Sequence, residues 1–253
     1  MAENRKYQLN FSQLLPLAMF DVCARRNKAQ TMLQVMRDHL GSDLSNLRLL
    51  DIGSSTGIIA DFLADHFREV IGIDIDAPAV AFARQNCSRS NLFFAVGDSL
   101  NLGFSDNAFD AAICAQVYEH VPDAGRMMKE VFRVLTPGGI CYFAAGNRLA
   151  WMEPHYRLPL LSVLPRPVAN LYIRLAGKST HYHEHHLTYW GLKELVHAFE
   201  VIDYTKKIVA APDFFHAGYM LPEGSWKTLL SRAVARIAYW LFPGYIWLLK
   251  KPR

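Results

Sequence analysis

Residues Leu49 to Ile58 read LLDIGSSTGI, an apolar run that ends in Asp51 and passes into a small-residue turn opened by Gly53 and closed by Gly57. An apolar run closed by such a turn marks a buried parallel strand handing over to a helix, where backbone N–H groups face the polar end of a ligand. The chain is thereby directed to alternating strands and helices around a largely parallel sheet.

A second apolar run, VIGID, ends in Asp74. It lies near the separation of about 20 residues that brings a carboxylate to a pair of ribose hydroxyls. The two acids together describe a nucleoside site. The turn departs from the dinucleotide pattern G-x-G-x-x-G, because Ser55 and Ile58 stand where glycine is required, and a nicotinamide cofactor is disfavoured. Residues Ala95 to Val121 then supply a third strand-end acid, Asp98, the apolar strand Phe109 to Ala115 and the tail Gln116 to His120. Glu130 to Asn147 reads as an amphipathic helix stopped by Pro137-Gly138-Gly139 and followed by another apolar strand.

Five signals therefore stand in order between residues 45 and 147: D-x-G-x-x-x-G, G-x-D, G-D-x, E-H-V and L-x-P-G-G. In this the chain resembles the class I S-adenosylmethionine-dependent methyltransferases, in particular the type 11, quinone-type small-molecule subgroup. The resemblance implies an α/β fold, a doubly wound, mostly parallel seven-stranded sheet with its last strand antiparallel and with helical insertions, and S-adenosylmethionine as cofactor. It implies that Asp51 and the turn residues Gly53, Ser54, Ser55 and Gly57 hold the methionine portion. Asp74, followed by Ile75, would accept from the ribose hydroxyls, and Asp98 with Ser99 would meet the adenine. Gln116 would touch cofactor or acceptor. Ser55 replaces a glycine that many members carry, and serine is small enough for the same backbone approach.

With 253 residues, 51% hydrophobic and 20% charged, the chain suits one sizeable α/β domain over residues 1–253. Its expected parts are an N-terminal helical lid (1–44, with a helical region from Phe11 to Leu40), a cofactor-binding core (45–147), an insertion near the acceptor site (148–187), and a C-terminal half (188–253) carrying a second insertion (210–243). The helices of the core are expected to begin near Ile58, Ala77 and Asp123. In the C-terminal half a helix is expected over Thr188 to Glu200, with strands over Val201 to Val209 and Gly244 to Pro252. No stretch reaches the roughly 18 apolar residues a spanning helix requires, and MAENRKYQLN lacks the apolar core of a signal peptide, so the expected location is cytoplasmic. Cys23, Cys87, Cys114 and Cys141 are scattered and read as reduced thiols.

Methyl transfer from a sulfonium needs positioning more than reactive side chains. His120, after the fourth strand, and His155 in the first insertion are candidate general bases for an acceptor hydroxyl. A histidine bonded to the backbone and a surface loop anchored by aromatics are the competing readings. Trp151, Tyr156 and His183 are candidate acceptor contacts, and Glu119 reads as structural. The run HYHEHH, His181 to His186, invites a metal, but its spacing is not the helical H-E-x-x-H pattern and an already activated donor needs none, so no metal is expected.

Two basic amphipathic segments complete the reading. Gly224 to Leu241 sets Trp226, Leu229, Leu230 and Ile237 against Lys227, Arg232 and Arg236, and Pro165 to Lys178 repeats the pattern. Such helices either pack on the sheet or meet an amphiphilic acceptor or a membrane surface. The expected partner is a small or lipid-like acceptor, with peripheral membrane contact in view and no nucleic acid, since no Asn/Asp-Pro-Pro-aromatic turn follows the fourth strand. A nucleic-acid methyltransferase and an inactive cofactor-binding subunit are the alternatives.

Overall fold

The computed structural model describes residues 7–9, 11–14 and 19–253; the first six residues, residue 10 and residues 15–18 of the expected N-terminal helical region lie outside the described residues. Seven strands form one sheet: β1 (Arg48–Ile52), β2 (Glu69–Asp74), β3 (Leu92–Val96), β4 (Phe109–Ala115), β5 (Leu135–Gly146), β8 (Glu200–Asp203) and β9 (Gly244–Lys250). Their order is β3-β2-β1-β4-β5-β9-β8, with β9 antiparallel to both neighbours and the pairs from β3 to β5 parallel. This is the doubly wound, mostly parallel arrangement, and the order reverses between β1 and β4.

Period-two alternation sends successive strand residues to opposite faces. Leu49, Ile113 and Tyr142 join one core with helices α2 (Val22–Leu40), α3 (Ile58–Leu63) and α4 (Ala77–Asn86). Leu50, Cys114 and Phe143 join the other with α5 (Ala124–Val134) and α7 (Tyr189–Leu195). A short α1 (Phe11–Leu14) precedes them. Helix starts follow local capping: Asp76 accepts from the Ala79 N–H with Pro78 in the first turn, and Asp123 accepts from the Arg126 N–H. Helix α2 does two things at once. Leu33 and Met36 are buried in the core, while Arg25, Lys28 and Met32 wall a cavity.

Three expectations are corrected. The strand expected over Val201–Val209 stops at Asp203, whose side chain accepts from the Lys206 N–H and starts helix α8 (Tyr204–Ala210), with Tyr204 and Ile208 turned into the core. The helix expected over Thr188–Glu200 ends at Leu195. Pro137-Gly138-Gly139 does not separate helix from strand; α5 ends at Val134 and β5 begins at Leu135, with an irregularity in its pairing to β4.

The first insertion contains the short β6 (Met152–Glu153) and β7 (Leu158–Pro159), paired antiparallel, and helix α6 (Arg166–Leu175). It has a small core of its own in Leu161, Ala169, Ile173 and Tyr182. The second carries α9 (Trp226–Ile237) and is tied to the end of β5 by Asn147, whose Nδ2 donates to the carbonyls of Trp240 and Phe242 at 2.8 Å each. Helix α9 docks through its small and polar side: Thr228 is buried, its hydroxyl donates to Pro222 O, and Arg232 donates to the carbonyls of Val209 and Ala210. Its apolar stripe faces outward, with Trp226 69% and Ile237 83% exposed. Among the described residues no helix is long and apolar enough to cross a membrane.

Candidate functional site

A cavity of about 1000 Å³ opens at the carboxyl ends of β1, β2 and β4, where the strand order reverses. Open α/β sheets bind ligands at such a switch point, because the loops leaving neighbouring strands part to opposite faces there. The N-terminal residues Tyr7, Gln8, Phe11 and Ser12 form part of its wall.

The floor is the turn after β1. Gly53 and Gly57 take φ of 75° and 77°, and a Cβ at either would lie 2.6 Å from Val117 Cγ2 or Phe94 Cζ respectively. Glycine is needed at both for backbone conformation and for space. Ser55 lines the cavity at φ 50°, a left-handed conformation that serine adopts at some cost. Ser54 is buried beneath it, and its hydroxyl has no partner among the described residues.

Asp51 is buried, and its Oδ2 likewise has no hydrogen-bond partner among the described residues. Burial pushes its carboxyl up to about 7, against the opposing pull of Arg25 and with a further push from Asp74. Asp74 lines the cavity; its Oδ2 accepts from Ser55 N–H at 2.7 Å and its Oδ1 from Asp76 N–H at 2.9 Å. Each oxygen retains a lone pair for a ligand hydroxyl. Burial raises its pKa, while these backbone donors oppose the rise. Ile75, Ser99 and Gln116 also line the cavity, and Gln116 is held at φ 59°. Asp98 accepts through Oδ1 from the Tyr7 hydroxyl and from Leu100 N–H, so the third acid is engaged by the N-terminal segment.

His120 and His155 both line the cavity, with ring centroids 5.0 Å apart. Burial, then the neighbouring His155 and His186, push His120 down to about 3. Burial disfavours the charge on His155 too, but the bond to Glu153 and the nearby Glu184 outweigh it and hold its pKa above the ordinary value. Burial would raise Glu153, yet its bonds with His155 and His186 hold it down at about 2. Burial raises Glu119.

The residues expected to touch the acceptor lie outside the cavity lining. Trp151 is 67% exposed, Tyr156 packs its ring 5.8 Å from that of Tyr182, and His183 is exposed; none of the three lines the cavity. The β6–β7 turn instead brings Pro154, His155 and Arg157 inward. HYHEHH does not converge on itself either, since Glu184 and His186 are buried and His181 and His183 are exposed. Sequence reasoning passed over Arg25, Asp76 and the apolar wall of Tyr142, Ile208, Val209, Met220 and Tyr245. The sequence leads one to expect the helical region from Phe11 to Leu40 as a lid, but not that Arg25 and Lys28, at one helical turn's spacing, line the cavity.

Residues 50–143 match the family described as "Methyltransferase domain". The chain is 36% identical over 107 residues to the biotin biosynthesis bifunctional protein BioHC of Cellvibrio japonicus, covering 42% of this chain and 21% of that protein. It is 28% identical over 143 residues to the ubiquinone biosynthesis O-methyltransferase of Methylococcus capsulatus, covering 53% of this chain and 58% of the relative. It thus spans less than two-thirds of the length of these curated relatives. Among solved structures, an S-adenosylmethionine-dependent methyltransferase from Mesorhizobium loti superposes with a TM-score of 0.54 at 18% identity, covering 83% of this chain and 93% of that one, a likeness of fold.

Proposed function

We infer that this chain, a member of the class I S-adenosylmethionine-dependent methyltransferases, transfers a methyl group to a small amphiphilic acceptor by in-line displacement. The observation that carries the reading is one cavity with two unlike halves: the turn after β1 with the strand-end acid Asp74, suited to the cofactor, continuous with an apolar wall from Tyr142, Met220 and Tyr245.

The cofactor half fits S-adenosylmethionine on features of this chain. Asp51 Oδ2, without a hydrogen-bond partner among the described residues, suits an ammonium, and Gly53 and Gly57 leave no room for a side chain at either position of the turn. Asp74 has lone pairs to accept from ribose hydroxyls, Asp98 and Ser99 are assigned to the adenine, and Arg25 beside Asp51 suits a carboxylate. When bound, the cofactor supplies an activated methyl group. The protein's share is to align the acceptor, exclude water and let an acceptor proton leave, and this last task is assigned to His120 and His155. The ubiquinone and biotin relatives support a small acceptor.

The test is incubation of the purified chain with methyl-labelled S-adenosylmethionine and fractionated cell extract. Label in the lipid or small-molecule fraction is expected; label in nucleic acid, or none anywhere, overturns the reading.

Asp51 sets an expected pH dependence. Its folded pKa of about 7 lies above the ordinary carboxylate value, so its contribution to the stability of the ligand-free protein is fully present below about pH 4 and lost as pH rises through about 7. Cofactor binding has the opposite slope, because an ammonium prefers the ionised carboxylate. Affinity should fall by up to about tenfold per unit below pH 7, with proton release on binding, and Asp51→Asn should flatten the profile. Calorimetry in buffers of different ionisation enthalpy measures both.

The outward stripe of α9 and the exposed Val168, Leu171 and Leu175 of α6 support docking against a lipid surface that presents the acceptor. Because Arg232 is occupied by backbone carbonyls, the charges available are Lys227 and Arg236. Lys227→Glu with Arg236→Glu should weaken co-sedimentation with anionic vesicles by about 1 kcal/mol per charge at low salt, less at moderate salt, and leave cofactor affinity unchanged. Absence of vesicle binding by the unmodified chain would remove the membrane from the proposal.

A further inference from the structure

Beside the cavity, around the two histidines assigned to the acceptor proton, lies a buried knot of acids that the alignment of cofactor and acceptor leaves unexplained. Glu119, His120 and His155 each present a ligand atom, all within 4.8 Å of one another. Glu119 is 0% exposed, and neither carboxylate oxygen has a hydrogen-bond partner among the described residues. A buried carboxylate in that state is costly, and a cation is the kind of partner that would relieve it.

The surrounding bonds prepare the two rings. His120 Nδ1 lies 2.7 Å from Gln8 Oε1, whose amide is oriented by Nε2 donating to Glu184 Oε1 at 3.4 Å. His155 Nδ1 lies 2.7 Å from Glu153 Oε1, and Glu153 is itself pinned by Tyr156 N–H. An acceptor on each Nδ1 assigns the proton there and leaves the Nε2 lone pair for coordination, which is the arrangement that outer-shell groups impose on metal-binding histidines. Both rings line the cavity, so an ion has a way in and an open side.

We propose that Glu119, His120 and His155 hold a first-row divalent cation whose open side takes an oxygen of the acceptor. One carboxylate and two imidazoles without a thiolate suit manganese, iron, cobalt or zinc rather than magnesium or copper(I). The role deepens the methyltransferase reading and rests on it: the donor needs no metal, but a hydroxyl acceptor does need to lose its proton. With the oxygen held by a Lewis acid, its proton leaves to solvent, the new O–C bond forms as the S–C bond breaks, and the sulfonium becomes a neutral thioether. The acceptor is then an oxygen nucleophile, a phenol, enol or alcohol.

The test is a titration of the chelator-treated full chain with Co²⁺, read by calorimetry and by visible absorption. One bound equivalent is expected, weakened at least about tenfold by Glu119→Gln and by His155→Ala, and by about 10- to 100-fold by Glu153→Gln, which removes only the outer support. His181→Ala, at an exposed ring, should change nothing. If Glu119→Gln does not fold, Glu153→Gln carries the test. No binding by the unmodified chain, binding that survives both ligand substitutions, or binding lost in His181→Ala overturns the site. Methyl transfer should vanish on chelation and return with Mn²⁺ or Co²⁺; an unaltered rate in the stripped protein overturns the cation's role and leaves the methyltransferase reading standing. A chain that binds Co²⁺ as expected but labels no acceptor, with or without metal, removes that reading and with it the role, while the ion site stands.

Discussion

Asp74→Ala should lower the affinity for S-adenosylmethionine and its demethylated product by about 2 to 4 kcal/mol, roughly thirty- to a thousandfold in Kd. Part of this is the loss of two charge-assisted bonds to ribose hydroxyls. The remainder comes from the turn, because the same carboxylate accepts from Ser55 and Asp76 N–H and so holds the loop after β1 against the loop after β2. Asp74→Asn keeps an acceptor oxygen for one of these and should lose less than the alanine variant. The sheet should survive both changes, since Asp74 lies at the end of β2 and outside the two main cores. Calorimetry on variants with an unchanged circular dichroism spectrum measures the effect, and unaltered affinity in Asp74→Ala would overturn the assignment of the ribose partner.

His155→Ala should reduce turnover by about a hundredfold or more while leaving cofactor affinity near that of the unmodified chain. The ring lies in the insertion, away from Asp51 and Asp74, yet lines the same cavity as His120. His120→Ala should act in the same direction. Its ring is coupled to the N-terminal segment through Gln8 and through Phe11, whose ring centroid is 4.6 Å away, so this variant also reports on how that segment seats. Single-turnover measurement separates the chemical step from binding. Near-normal turnover in both variants would remove these histidines from the reaction and favour an acceptor that needs no deprotonation.

The placement of these histidines explains why one part of the site was legible and another was not. Asp51 and Asp74 each close an apolar run, and in a parallel sheet all such ends lie on one edge, so strand order and polarity bring them together without any further contact. His120 follows from the same rule at the end of β4. Glu119, next to it, read as structural because a sequence does not disclose that both its oxygens would be buried without partners among the described residues. The aromatic residues of the insertion do not line the cavity, for a related reason. Nearness in sequence to His155 suggested that Trp151 and Tyr156 share its surroundings, but the hairpin reverses direction, exposes Trp151 and seats Tyr156 against Tyr182.

What the sequence by itself determined are the features governed by local period and turn chemistry: buried parallel strands, the glycine turn at Gly53 and Gly57, the helix starts at Asp76 and Asp123, and the carboxylates Asp51 and Asp74 near the carboxyl ends of neighbouring strands. These hold because backbone geometry repeats over a few residues and places side chains by spacing alone. The tertiary structure decided what depends on distant partners. It brought Arg25 of α2 towards Asp51 and Asp74, drew His186 onto Glu153 of β6, and turned the apolar stripe of α9 outward by docking Thr228 and the Arg232 guanidinium onto backbone carbonyls. An amphipathic pattern states which face is apolar but not what covers it, and a titratable residue acquires its chemistry from neighbours that only folding supplies.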